Sequence, residues 1–460
     1  MISLASVKKW MTKWEMINYA SLDFSQVLIY MLITSYLMYF YTDVAKIPVA
    51  TAGVILLIAR GFDAIDAPIW GALIDMTHTK WGRSRPYFLW VAVPFAVSSV
   101  LMFWNPSLPY HTKVIYCAVT YIISGILYTG INTPLTSILP SLSANPQERL
   151  TANSVRMFGS QMGGFVTNAL ALPAVALLGR GDDTKGFRWF IIIVGIVFIV
   201  ITLHAFTVVK EKVEVRVEKV PITKSVKAIK GNWPWVIIVL GNLFYWIAYT
   251  NRSSTLVYYF TYNFGNKGLV STFNAIASIQ VVAMLLIPLF NKKFSKTQIW
   301  STGFIVAIIG QLIIFAGGKN IGICLAGWII GNMGSGISVA MPFAMLSQAV
   351  DYGEWKTGIR AAGFLTAIGS SFCIKMGSGL AGFIPSLILN HYGYVANQVQ
   401  TARSLFGIKF CFIWLSIILF AIALVPILFY GRYEKLENKV TDDLETKNTQ
   451  AQEVATSDEN

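Results

Sequence analysis

Charge is what this chain has least of. Asp, Glu, Lys and Arg make up 13% of its 460 residues, about half of the ~25% usual in a soluble globular domain. That shortage excludes a fold that meets water on every side. Cysteine is scarce as well. Cys117, Cys324, Cys373 and Cys411 stand singly in apolar runs, without metal spacing or a disulfide framework, and read as small core residues. His78, His111, His204 and His391 fall in loops or at the ends of apolar runs, with no metal or catalytic spacing. The sequence offers no Ser/His/Asp set, metal cluster or phosphate-cradling loop. Neither an enzyme nor a cofactor is expected. The first apolar run is too long for an h-region, so no cleavable signal peptide is expected.

What the chain does have is hydrophobic length. Twelve apolar runs of about 20 residues or more, each enough to cross a bilayer, occupy roughly 19–41, 49–75, 86–104, 113–139, 152–178, 187–208, 233–262, 270–290, 298–317, 320–348, 361–390 and 405–430. The fold class expected is an all-α, multi-pass membrane protein. The net charge of +14 does not point to nucleic acid, because Lys and Arg concentrate on one side of the spans. Lys8, Lys9, Lys13, Lys80, Arg83, Arg85, Arg149 and the central loop lie on that side, whereas the opposite loops hold few cations, such as Lys46 and Lys113. By the positive-inside rule both termini are cytoplasmic, in a cell (inner) membrane whose anionic lipids attract the basic loops.

The longest polar connection, 209–232, divides the chain into an N-terminal half (1–208) and a C-terminal half (233–430) of six spans each, followed by a polar tail (431–460) expected to be disordered. The halves repeat: Lys80, Arg83 and Arg85 correspond to Lys292, Lys293 and Lys296, and Glu148, Arg149 and Arg156 to Asp351, Glu354, Lys356 and Arg360. Two corresponding halves suit alternating access around a midplane site.

The second span is the exceptional one. Arg60, Asp63 and Asp66 interrupt its apolar run at steps of three, which keeps them on one side of a helix. An ionisable residue at the bilayer centre costs about 2.5–3.5 kcal/mol on insertion scales and usually marks an ion or substrate path. A purely structural Arg60–Asp63 pair is the competing reading, disfavoured because apolar residues replace such pairs at lower cost. Asp23 in the first span, Arg156 in the fifth and Lys375 deep in the eleventh are further ionisable residues in apolar surroundings. Asp23 also reads as a solvated helix end and Arg156 as a snorkelling cation. Tyr30 and Tyr128 supply aromatic faces suited either to a sugar ring or to helix packing.

Several motifs make the sequence specific. Tyr41-Thr42-Asp43 follows the first span; Asp63, Asp66, Pro68 and Gly71 lie in the second; Lys80-Trp81-Gly82-Arg83 precedes Arg85-Pro86. Pro134 to Pro140, Glu148-Arg149-Leu150 with Arg156, and Asp351-Tyr352-Gly353-Glu354-Trp355-Lys356 with Arg360 follow, then Lys375. In this order they resemble the glycoside–pentoside–hexuronide:cation symporter family, over nearly the whole chain to about residue 430. The resemblance implies the major facilitator fold and import of a glycoside coupled to H+ or Na+. It assigns Asp63, with Asp66, Asn132 and Thr129, to the cation, and Asp23, Arg156 and Lys375 to the sugar, with Tyr30, Tyr128 and Thr136 beside it. Asp75, Arg83, Arg85, Asp351, Glu354 and Arg360 would form a cytoplasmic charge network that opens and closes.

Two departures bear on the cation. The second carboxylate, Asp66, is one place before the position next to Pro68, where Ala67 stands, and Asn132 replaces a span 4 aspartate of the family's best-known member, with Thr136 in place of a tryptophan. Sodium wants several hard oxygen ligands, whereas a proton needs one carboxylate that can be protonated. The proton is therefore favoured, with Na+ at Asp63 the alternative. The partners expected are a small sugar, a monovalent cation and membrane lipid, and the carrier is expected to be monomeric. A lipid carrier or a non-transporting sensor of the same fold is the other function class considered.

Overall fold

The structure, a computed structural model, describes residues 10–143, 145–213, 226–290, 293–359 and 361–437, with a few positions as far as 446. Among these every regular element is a helix, apart from one isolated bridge between Thr79 and Gly82. Ten helices are long and apolar enough to cross a membrane. At two of the twelve expected positions the helix departs from a plain apolar rod. The second, Val49–Met76, is 28 residues long but carries Arg60, Asp63, Asp66 and Asp75. The third is broken into Arg85–Trp90 and Ala92–Met102. Pro94 lacks an N–H and its ring clashes with the carbonyl four residues back, so the first piece ends at Trp90.

Packing divides the chain into two units whose limits differ from those of the sequence halves. The first comprises residues 1–217, 253–278 and 382–408; the second 218–252, 279–381 and 409–460. In the first unit the elements run α1 (Lys13–Tyr39), α2 (Val49–Met76), α3 (Arg85–Trp90), α4 (Ala92–Met102), α5 (Tyr110–Ser137), α6 (Leu139–Leu142), α7 (Pro146–Gly179) and α8 (Asp183–Val208). A capping box starts α1, the Thr12 side chain bonding the Glu15 N–H and the Glu15 side chain returning to Thr12. At its far end α1 widens into a buried π-helical stretch, Phe40–Val44. Small residues let α7 approach α1, because a Cβ on Gly159 or Gly163 would run into the carbonyls of Ala20 and Phe24.

In the second unit the helices Lys296–Gly317 and Ile321–Thr357 meet in the same way, Gly310 lying against the backbone of Gly331. Arg252 is buried there, its guanidinium bonded to Asn332 at 2.8 Å and Ser335 at 3.2 Å and lying 4.7 Å from the Trp328 ring centroid. The segment after 431 departs from the expected disorder at its start. Gly431–Glu434 is helical, Tyr433 is buried, Glu434 accepts from the Thr297 N–H at 2.9 Å, and Glu437 pairs with Lys296 at 2.7 Å. Lys296 and Glu437 supply complementary charge there, and the Tyr433 ring supplies apolar area. Lys8, Lys9, Lys292, Arg360, most of the central loop and the last residues of the tail lie outside the described residues, as does the side chain of Asp75.

Candidate functional site

The buried polar groups of the first unit converge from α1, α2, α5 and α7. On α2 the Arg60 guanidinium donates to Asp63 Oδ2 at 3.0 Å, and both are buried. The pair is enclosed by aromatic rings, with the Tyr30 centroid 5.9 Å and the Tyr121 centroid 5.8 Å from Arg60 Cζ. Tyr30 in turn stacks on Tyr128 of α5 at 4.9 Å between centroids. Asp63 reaches its place because α5 carries Gly125 opposite it; a Cβ there would overlap the carboxylate. Asp66, one turn further along α2, is also buried.

The second group joins α1 to α7. The Arg156 guanidinium holds the Asp23 carboxylate through Nη1, while its Nε and Nη2 both donate to Asn153 Oδ1 at 3.1 Å. The close glycine contact between α1 and α7 brings these side chains together across more than a hundred residues of sequence. Next to Asp23 on α1, Gln26 accepts from Asn132 of α5 at 3.3 Å. Tyr19 completes the tie between α1 and α5, its hydroxyl donating to the Leu135 carbonyl at 2.9 Å.

Three carboxylates (Asp23, Asp63, Asp66) are buried in this core, and those of Asp23 and Asp63 are each held by a guanidinium. A low-dielectric interior makes a buried carboxylate costly to keep ionised. Neither guanidinium is left to attract an anionic ligand, since each is engaged by a carboxylate.

Of the residues singled out in the sequence, Asp23, Arg156, Asp63, Tyr30, Tyr128 and Asn132 are brought into this core. Thr129 is buried on α5, its hydroxyl donating to the Gly125 carbonyl at 3.2 Å. Thr136 is exposed and spends its hydroxyl on the Thr133 carbonyl at 3.0 Å, so the structure does not gather it with the others. Lys375 is half-buried in the helix Cys373–His391 and belongs to the second unit, as do Asp351 and Glu354 on Ile321–Thr357. Arg83 and Arg85 are held inside the first unit. Glu211 caps the start of α3, accepting from the Arg83, Ser84 and Arg85 backbone N–H groups at 2.8–3.1 Å, and the Arg85 guanidinium donates to the Phe206 carbonyl at 2.6 Å.

Sequence reasoning missed Gln26, Asn153, Glu211 and Gly125. A polar residue three positions from Asp23 in an apolar helix was the available signal for Gln26. Asp43 entered the sequence reading as part of a motif only. In the structure it is buried at the end of α1, accepting from Thr42 at 2.6 Å, from the Tyr394 hydroxyl at 3.0 and 2.9 Å, and from Tyr262. Nearby, Lys267 pairs with Asp183, which also accepts from Tyr39 at 3.4 Å.

Comparison with known proteins adds three findings. Residues 18–431 match the family described as MFS/sugar transport protein. The isoprimeverose transporter of Lactiplantibacillus pentosus is 41% identical over 98% of this chain and 95% of its own length, and the uncharacterized symporter YnaJ of Bacillus subtilis is 32% identical over 94% and 95%. Among solved structures the D-xylose-proton symporter superposes with a TM-score of 0.66 at 17% identity, over 91% of this chain and 97% of that one. That last likeness shows the fold, which is the major facilitator fold.

Proposed function

The chain belongs to the MFS/sugar transport protein family, a family of membrane transporters and not of enzymes, and from that membership we propose that it carries an uncharged glycoside together with a monovalent cation. It is a sugar–cation symporter, and the substrate we infer is isoprimeverose or a glycoside of similar size, by its likeness to the Lactiplantibacillus pentosus transporter. The observation that carries the reading is the gathering of three buried carboxylates, Asp23, Asp63 and Asp66, in a core whose two guanidiniums are both engaged. Buried carboxylates suit a cation, and the engaged guanidiniums disfavour a hexuronide.

Asp63, with Asp66, takes the cation in this reading, with Thr129 and Asn132 beside it. Asp23 and Arg156 hydrogen-bond the sugar hydroxyls, as charged groups do more strongly than neutral ones. Tyr30 and Tyr128 offer a stacked aromatic wall, and Lys375 is assigned to the sugar as well. Cation binding neutralises a buried carboxylate and pre-organises the sugar site, so that only the empty and doubly loaded carriers change face. A ligand shifts such an equilibrium only by its differential affinity for the two states, which makes this restriction the source of coupling. The proton is the favoured ion, because it neutralises one carboxylate without further ligands. Asp75, Arg83, Arg85, Asp351, Glu354 and Arg360 are proposed to hold the cytoplasmic side shut, and Glu211 supports Arg83 and Arg85 in that task. The carrier is proposed to work as a monomer in the cell membrane with both termini cytoplasmic, in keeping with the distribution of Lys and Arg.

Uptake of labelled isoprimeverose, galactosides, a xyloside and a glucuronide into vesicles with an imposed proton gradient, with and without sodium, tests this. Accumulation of an uncharged glycoside without sodium is expected. Accumulation only with sodium overturns the proton assignment, preference for the glucuronide overturns the charge argument, and no sugar uptake moves the weight to a lipid substrate.

A further inference from the structure

Buried amides in an apolar helix are costly unless both ends are bonded. Gln26 is 0% exposed on α1, three residues past Asp23 and four before Tyr30, so the three side chains leave the helix on one side. Its two ends are treated differently. Oε1 accepts from Asn132 Nδ2 at 3.3 Å, whereas Nε2 has no hydrogen-bond partner among the described residues. Asn132 thereby orients the amide, leaving two N–H bonds unspent one turn from the Asp23–Arg156 pair and one turn from the Tyr30–Tyr128 stack. The neighbouring carboxylates Asp23 and Asp63 are engaged by Arg156 and Arg60.

An N–H donor repels a cation, so the coupling ion does not satisfy this group. An acceptor oxygen of an uncharged ligand does. We propose that Gln26 is a specificity-determining residue of the sugar site, donating from Nε2 to one oxygen of the bound glycoside, with Asn132 as the residue that positions it. The proposal rests on the transport reading above and deepens it. It makes the site selective for a glycoside that offers an oxygen at one fixed position, because an analogue lacking that oxygen leaves the amide buried and unbonded.

The test is equilibrium binding of isoprimeverose and its single-deoxy analogues to purified protein in lipid, for the wild type, Gln26→Leu and Gln26→Met. Both variants keep the approximate volume and remove the donors, and the unbranched Met keeps the reach of the original side chain. Wild type is expected to bind one deoxy analogue about tenfold more weakly than the parent sugar, the worth of one hydrogen bond. The variants are expected to lose that difference while keeping the differences at the other hydroxyls. A purely structural role would weaken all analogues alike, and that outcome overturns the assignment, as does an unchanged pattern in both variants. Failure of the wild type to bind any glycoside overturns the transport reading and this assignment with it; sugar binding that is indifferent to Gln26 overturns this assignment alone.

Discussion

Gly125→Ala is the perturbation that reaches the proposed cation site with the smallest chemical change. A Cβ at this position of α5 would overlap Asp63 Oδ1, and the carboxylate has to turn away. Turning it breaks the 3.0 Å bond from Arg60. A hydrogen bond to a charged group contributes about 1.5–3 kcal/mol, so distortion of the proposed cation site is expected to cost that amount, roughly a 10- to 150-fold change in apparent cation affinity. Gly61→Ala on α2 is the internal control, because its Cβ would meet nothing within 4 Å; Ala is also the better helix former. The assay is the half-saturating cation concentration, or the pH midpoint if the ion is a proton, for glycoside uptake into proteoliposomes. Gly125→Ala is expected to shift it by at least tenfold and Gly61→Ala to leave it in place. If both variants match wild type, the Asp63 carboxylate does not bind the ion where the structure holds it, and the reasoning fails.

Three other outcomes are expected. Arg156→Lys keeps the charge but not the fork that reaches Asp23 and Asn153 together, so the KM for glycoside counterflow rises about tenfold; an unchanged KM argues against Arg156 as a sugar ligand. Tyr394→Phe removes the hydroxyl that donates to both Asp43 oxygens and leaves a buried carboxylate short of a donor, at a cost of about 1.5–3 kcal/mol, read as a lower melting temperature in detergent. Gly82→Ala is strained twice over, by a φ of +104° and by the Glu211 carboxylate in the space of the new methyl. Such backbone strain costs about 1–3 kcal/mol, and a melting temperature equal to wild type would contradict it.

The parts of this molecule legible in the sequence were those where physics makes a residue expensive. Arg60, Asp63 and Asp66 stood out because charge in an apolar run has a high cost, and the spans stood out because a bilayer sets their length. The Asp23–Arg156 pair rested on resemblance, since no local pattern links residues on different helices; the contact depends on Gly159 and Gly163 letting α7 approach α1. The break before Pro94 was there to be read from the proline, but the π-helical stretch at Phe40–Val44 and the short 3-10 stretch at Ala277–Ile279 had no comparable signal. Tyr262 and Tyr394 were illegible for another reason. A buried polar side chain looks the same in sequence whether it bonds its own helix, as Thr129 does with the Gly125 carbonyl, or a partner far along the chain, as Tyr394 does with Asp43.

The most direct test of the account sets wild type beside Asp63→Asn in proteoliposomes, measuring both exchange of isoprimeverose across the membrane and its accumulation against a gradient driven by the cation. The account predicts that wild type does both, and that Asp63→Asn keeps exchange while its accumulation falls to simple equilibration. Full concentrative uptake by Asp63→Asn would contradict it.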